Sequence, residues 1–138
     1  MKRVYQPTKD TCLQAAIASV LELPLGDVPH FAVLKSGKDN LTWFTDLIAW
    51  AKKRGQGVVH FWTNDSKALI PTMHNVSVVA VGASKVCGEY EQHAVVCHTT
   101  TEGKTVSFSY AHDPAGRSAD FLENIEHCFF FVPMRPKL

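Results

Sequence analysis

The sequence lacks the features that mark membrane proteins and nucleic-acid-binding proteins. Its longest apolar runs, at 76–82 and 128–132, fall far short of the ~20 residues that a membrane-spanning helix needs. No apolar segment follows the opening Met-Lys-Arg, so we expect no export signal, no membrane partner and a cytoplasmic location. Fourteen Lys and Arg residues against thirteen Asp and Glu give a formal net charge of +1, which disfavours nucleic acid as the main partner.

Paired cysteines, internal repeats and Ser/Gly-rich linkers are also missing. No CxxC pair occurs among the cysteines, which we interpret as thiols and not as a disulfide framework: Cys12, Cys87, Cys97 and Cys128. Hydrophobic residues make up 46% of the 138 residues and charged residues 20%, a balance that suits one compact core. The sequence therefore predicts a single domain over residues 1–138.

Two amphipathic helices are predicted in the first part of the chain. Apolar residues recur at three- and four-residue steps from Thr11 to Leu23 and again from Thr42 to Arg54. Thr11 and Gln14 have the spacing of a capping box, with Asp10 as an alternative cap. The first helix would thus begin immediately before a cysteine.

The remainder of the chain is typical of a β-sheet. Short segments rich in β-branched and aromatic residues predict five strands: Gly57–Trp62, Val76–Val81, Ala94–His98, Val106–Tyr110 and Phe129–Val132. Glu102-Gly103-Lys104 predicts a hairpin turn between the third and fourth strands, and Ser66 to Leu69 a short helix. Two helices followed by a mostly antiparallel sheet give an α+β fold.

Cys12 is the strongest candidate for a catalytic side chain, because it lies in the first turn of the first predicted helix. The amide groups and the dipole at a helix start stabilise negative charge. A thiol there can have its pKa lowered from ~8.5 into the range ~3.5–7.5, which favours the nucleophilic thiolate. The alternative is a buried structural cysteine, the more frequent fate of a cysteine in a helix.

His93 and Asp113 are candidates to act with this thiol. His93 begins a predicted strand and Asp113 follows the next strand, so hairpin pairing would bring them side by side. An imidazole can activate a cysteine, and a carboxylate can fix the tautomer of that imidazole. The alternatives are a structural or exposed histidine and an Asp-Pro turn; His30 is a second candidate base.

Gln6 lies six residues before Cys12 and is a candidate oxyanion donor. Its side-chain amide and the Cys12 backbone N–H would together bind a tetrahedral oxyanion. The alternative is an ordinary surface glutamine. Two bulky residues, Trp62 and Tyr90, are candidates to line a substrate cleft.

Metal binding is a competing use for the histidines and cysteines. Two of them on one predicted strand, His93 and Cys97, would lie ~13 Å apart, too far for one tetrahedral ion. We therefore expect neither a metal nor another cofactor.

Taken in order, these residues carry a resemblance to a known family. Gln6, five residues, Cys12 at a helix start, His93 before a Val-rich strand and Asp113-Pro114 resemble the papain-like cysteine peptidases, most closely their bacteriocin-processing (double-glycine) branch. The resemblance implies that an N-terminal helix carries the nucleophile and packs on a mostly antiparallel sheet. It implies that Cys12 is the nucleophile, His93 the general base and acid, Asp113 its orienting carboxylate, and Gln6 the oxyanion donor. The sequence departs from that branch at Leu13, where a glycine or another small residue is usual.

The resemblance further implies a cysteine peptidase or isopeptidase that cleaves peptide or protein substrates, after small residues such as Gly-Gly. Two alternatives stay open. The same triad serves acyl transferases of the transglutaminase and arylamine-acetyltransferase kinds. The chain could also be a catalytically silent binding module on a peptidase scaffold.

Overall fold

The computed structural model describes residues 1–8, 11–31, 43–63, 75–83, 92–103, 105–116, 122 and 124–134. Within these residues there are two α-helices, a short 3-10 turn at Leu25–Asp27 and five strands. The helices are α1 (Cys12–Leu21) and α2 (Trp43–Lys53); the strands are β1 (Gln56–Trp62), β2 (Ser77–Ala83), β3 (Gln92–Glu102), β4 (Thr105–His112) and β5 (His127–Pro133). The predicted α+β class is confirmed. The predicted helix from Ser66 to Leu69 lies outside the described residues.

The five strands form one antiparallel sheet in the order β1-β5-β2-β3-β4. One row of partners crosses four of these strands: Trp62 pairs with His127, His127 with Val81, and Val81 with Ala94. The next row includes the pair of Gly82 and His93, close to where β2 ends and β3 begins. We call this side of the sheet, where β2 ends and β3 begins, the His93 end of the sheet; this edge is an end of the strands and not an outermost strand.

Both helices pack on the same face of the sheet. Helix α1 contacts β2 and β3, and α2 contacts β1. The core on this face joins apolar residues of α1 and α2 with alternate strand residues, including Cys12, Leu47, Val81, Ala94 and Phe129. The intervening residues, such as Val78, Val95 and Cys97, form a second core. Because β2 is buried on both faces, its sequence is continuously apolar instead of alternating.

The N-terminal segment lies between α1 and the end of β4. The backbone N–H of Val4 donates to Ser19 Oγ (3.0 Å), and Nε2 of His112 donates to the Val4 carbonyl (2.7 Å). Two residues on, the Gln6 N–H donates to the Pro114 carbonyl (2.9 Å). These bonds direct the chain that leads into α1 toward the His93 end of the sheet.

The predicted capping box at the start of α1 is wrong. Thr11 is the N-cap residue, but its side chain makes no capping hydrogen bond. The amide of Gln14 instead donates to the carbonyls of Leu25 (3.1 Å) and Val28 (2.7 Å), which ties α1 to the following turn. Neither described helix is long and apolar enough to cross a membrane.

Candidate active site

His93 and Asp113 form a buried hydrogen-bonded pair at the His93 end of the sheet. Nε2 of His93 lies 2.6 Å from Oδ1 of Asp113, and the two residues are only 4% and 2% exposed. The same carboxylate oxygen accepts the Ala115 N–H (2.9 Å), and the Gly116 N–H donates to the Asp113 carbonyl (2.8 Å). Asp113 therefore starts a turn and also binds the imidazole of His93, while its catalytic role stays a prediction.

A β-bulge in β4 places Asp113 beside His93. Cys97 pairs with Tyr110 but Val96 pairs with His112, so one extra residue, Ala111, enters β4 at this point. Continuing this register puts Asp113 opposite Val95, on the face to which His93 also belongs by strand alternation. Without the extra residue the carboxylate would belong to the opposite face of the sheet.

The cross-strand partner of His93 is a glycine for a steric reason. A Cβ on Gly82 would lie 1.9 Å from the carbonyl oxygen of Asn124. The segment that follows Asn124 is held at this end of the sheet, because the Glu126 N–H donates to the Val81 carbonyl (2.9 Å). The Gln92 amide also donates to the Glu126 carboxylate. Sequence reasoning missed this role of Gly82, although an isolated glycine in a strand pattern is a known sign of close backbone approach.

Cys12 is the first residue of α1 and is 3% exposed, within the helix-side core that also holds Val81 and Ala94. The dipole at a helix start favours negative charge, whereas burial in an apolar core disfavours it, so the ionisation of Cys12 stays a prediction. Two further thiols lie in β3 and β5: burial raises the pKa of Cys97 to about 12, and burial with the nearby Cys97 raises the pKa of Cys128. None of these three cysteines forms a disulfide, and Cys87 lies outside the described residues.

Cys12 and His93 belong to opposite faces of the sheet. By strand alternation, His93 groups with Val95 and Cys97 on the face opposite the helices, whereas Cys12 belongs to the core on the helix face. His93 is the second residue of β3, so the edge of the sheet is next to it. A contact between the Cys12 thiol and this imidazole would therefore require them to meet around the end of the sheet, beyond the first residues of β3.

Gln6 lies next to the same edge through its backbone bond to Pro114. Its Nε2 donates to the carbonyl of Thr8 (2.9 Å). Its Oε1 is buried and has no hydrogen-bond partner in the described part of the chain. One N–H of this amide is thus bound to Thr8, and its second N–H has the polarity that an oxyanion requires.

The remaining described histidines include a second pair that the sequence did not indicate. Nε2 of His60 lies 3.0 Å from Nδ1 of His127, within a cluster of rings that includes Phe44 and Trp62. Burial lowers the pKa of His60, and burial with the neighbouring His60 lowers the pKa of His127 to about 4. Both rings are therefore neutral near pH 7.

The other candidates from the sequence divide as follows. Trp62 is 39% exposed and packs on His60 and His127, so it lies on the helix-side face near the His93 end. Tyr90 lies outside the described residues, and His30 is exposed in the loop after the 3-10 turn. Among the residues that the structure describes, no three His, Cys, Asp or Glu side chains are grouped as metal ligands.

Comparisons with protein-family models, curated proteins and solved structures find no match to the chain.

Proposed function

We propose that this protein is a papain-like cysteine peptidase or isopeptidase in which Cys12 attacks an amide carbonyl. The observation that carries the proposal is the buried hydrogen bond between His93 and Asp113, at the end of the sheet toward which the N-terminal segment directs α1. Cysteine, histidine and carboxylate in these positions are the parts that nucleophilic catalysis by a thiol needs.

The pairing with Asp113 determines which nitrogen of His93 acts. When Nε2–H donates to the carboxylate, Nδ1 carries the lone pair and is the atom able to accept the thiol proton. The Ala115 N–H holds the carboxylate in place, so the ring is fixed in tautomer and orientation. Asp113 thus positions the base without itself exchanging a proton with the substrate.

The reaction then follows from these roles. Nδ1 of His93 takes the proton of the Cys12 thiol, and the sulfur bonds to the substrate carbonyl carbon. The resulting oxyanion is bound by the Gln6 amide and the Cys12 backbone N–H. His93 returns the proton to the leaving amine as the C–N bond breaks, which leaves a thioester. A water molecule, deprotonated by His93, attacks this thioester, releases the acid and restores the thiol.

The mechanism makes one geometric demand. Because Cys12 belongs to the helix-side core and His93 to the opposite face, the thiol and Nδ1 must meet around the edge of the sheet. Two features support such a meeting: His93 is the second residue of β3, and Cys12 is the first residue of α1. Neither side chain has to pass through the sheet.

We propose peptide or protein substrates with small residues such as Gly-Gly before the scissile bond. The support is the pattern of Gln6, Cys12, His93 and Asp113, which resembles that of the double-glycine peptidases. A mechanism that depends on a reduced thiol suits a reducing compartment such as the cytoplasm.

A peptide electrophile tests the proposal directly. The protein is incubated with a peptide vinyl ester ending in Gly-Gly, and the adduct is mapped by mass spectrometry. We expect one adduct at Cys12, strongly reduced labelling in His93→Ala, and unchanged labelling in the control His30→Ala. Labelling of Cys12 that does not depend on His93 would refute the proposed base.

Turnover of a Gly-Gly peptide amide separates the alternatives. Release of the acid supports hydrolysis, whereas formation of a new amide only when a primary amine is added would identify an acyl transferase. Peptide binding without turnover, and without reaction at Cys12, would identify a silent binding module.

A further inference from the structure

Thr11 occupies the N-cap position of α1, but its side chain hydrogen-bonds to Thr8 and not to the helix. Its hydroxyl donates to the carbonyl of Thr8 (2.9 Å), and the Thr8 N–H donates back to that hydroxyl oxygen (3.3 Å). The Thr11 N–H also donates to the Thr8 carbonyl (3.4 Å). An N-cap threonine ordinarily accepts hydrogen bonds from the helix, so this side chain stabilises the turn before α1 instead.

The same Thr8 carbonyl binds the side chain of Gln6. Nε2 of Gln6 lies 2.9 Å from this oxygen. A carbonyl oxygen can only accept, so the nitrogen of the amide, and not its oxygen, must face Thr8. Because Oε1 of Gln6 has no partner in the described part of the chain, the bond to Thr8 sets which way the amide is turned.

This bond leaves the amide able to donate once more. A primary amide has two N–H donors, and the Thr8 carbonyl takes one of them. The backbone of Gln6 is fixed separately by its bond to Pro114. A chain of hydrogen bonds therefore leads from Thr11, the residue before Cys12, through the Thr8 carbonyl to the donor proposed for the oxyanion.

We propose that Thr11 is a positioning residue for the oxyanion site, and that its hydroxyl orients the Gln6 amide through the Thr8 carbonyl. The inference rests on the proposed cysteine peptidase function and adds a residue to its machinery. Thr11 does not touch the substrate in this scheme. It acts only through Gln6, and this dependence is what an experiment can measure.

The kinetic test uses Thr11→Val, which removes the hydroxyl at nearly constant shape, and Thr11→Ser, which retains it. We expect Thr11→Val to lower kcat about tenfold with little change in KM, less than the 10²–10³-fold expected for removing the donor itself. Thr11→Ser should restore most of the rate. The matched control Thr45→Val removes an exposed hydroxyl from α2 and should leave kcat unchanged.

Dependence on Gln6 separates positioning from a general structural role. In a Gln6→Ala background, Thr11→Val should cause no further loss of kcat, because the group it aligns is absent. An equal tenfold loss in both backgrounds would overturn the proposal, as would a Thr11→Ser variant as slow as Thr11→Val.

A second measurement does not require activity. The ¹⁵N-labelled side-chain amide of Gln6 is observed by NMR in the full chain, with Thr11→Val and Thr45→Val compared. A shift and faster solvent exchange of the Gln6 amide protons in Thr11→Val alone supports the positioning role, and an unchanged amide overturns it. If no peptide is cleaved by the wild-type protein, the proposed function fails, and the NMR result still decides the role of Thr11.

Discussion

Acid should destabilise the fold through His127, which is only 2% exposed and contacts His60 and Trp62. The unfolded chain binds a proton on this residue below about pH 6.5, whereas the folded chain binds it only near pH 4. The unfolded state therefore binds more protons between these values, and stability falls as the pH falls through this window. At 1.36 kcal/mol per pKa unit, the loss attributable to His127 approaches about 3 kcal/mol below pH 4 and is about 2 kcal/mol at pH 5.

The measurement is the free energy of unfolding from urea titrations at pH 7, 6, 5 and 4. His127→Gln cannot titrate in this range, so it should lose about 2 kcal/mol less than the wild type between pH 7 and pH 5. The two proteins are compared by how steeply the free energy of unfolding changes with pH, because the substitution also alters packing and therefore the stability at pH 7. A His127→Gln variant that loses as much stability as the wild type over this range would refute the assignment of the acid sensitivity to this residue.

Three further predictions concern the His93 end of the sheet and the thiols. Gly82→Ala should lower the free energy of unfolding, measured by urea titration, by about 1–3 kcal/mol, because the added methyl group collides with the Asn124 carbonyl. A variant as stable as the wild type would contradict this close approach. Iodoacetamide at pH 6 should modify Cys12 before Cys97, whose pKa is about 12, as read by peptide mass spectrometry; equal rates would remove the argument for an activated thiol. In peptide-cleavage assays, His93→Ala should abolish turnover, whereas Asp113→Asn should keep a measurable fraction of it. Equal losses in the two variants would contradict an orienting role for the carboxylate.

The helices and strands were largely predictable because each follows a local pattern. The predicted first helix, Thr11 to Leu23, corresponds to α1 at Cys12–Leu21, and the predicted second helix corresponds to α2 at Trp43–Lys53. Strand β3 is longer than predicted, at Gln92–Glu102, because its second half is polar but β-branched and lies beyond the apolar run that marked it. Strand order was not predictable, since β5 pairs between β1 and β2 through contacts distant in sequence.

The candidate site was predictable in part for the same reason. Hairpin pairing of β3 and β4 predicts that Asp113 lies at the level of His93 but does not say on which face, and the structure confirms their proximity while their catalytic roles stay predictions. The hydrogen-bond partners of Thr11 and Gln14 were predicted wrongly, because the spacing of a capping box says nothing about nearby carbonyls that compete for the same side chains. The pair of His60 and His127 joins residues 67 positions apart, and no local pattern signals it.

The bulge in β4 explains why the position of Asp113 needed more than hairpin pairing. A shift of one residue reverses the face of every later side chain, so the extra residue at Ala111 decides whether the carboxylate meets His93. Burying a carboxylate and an imidazole is costly, and such a pair adds little net stability compared with apolar residues of similar size. A bulge interrupts regular pairing as well. Fold stability gives little reason to combine a bulge with a buried polar pair at the His93 end of the sheet, and the combination is what the proposed function requires, because the bulge brings Asp113 to the face where it can orient the imidazole of His93.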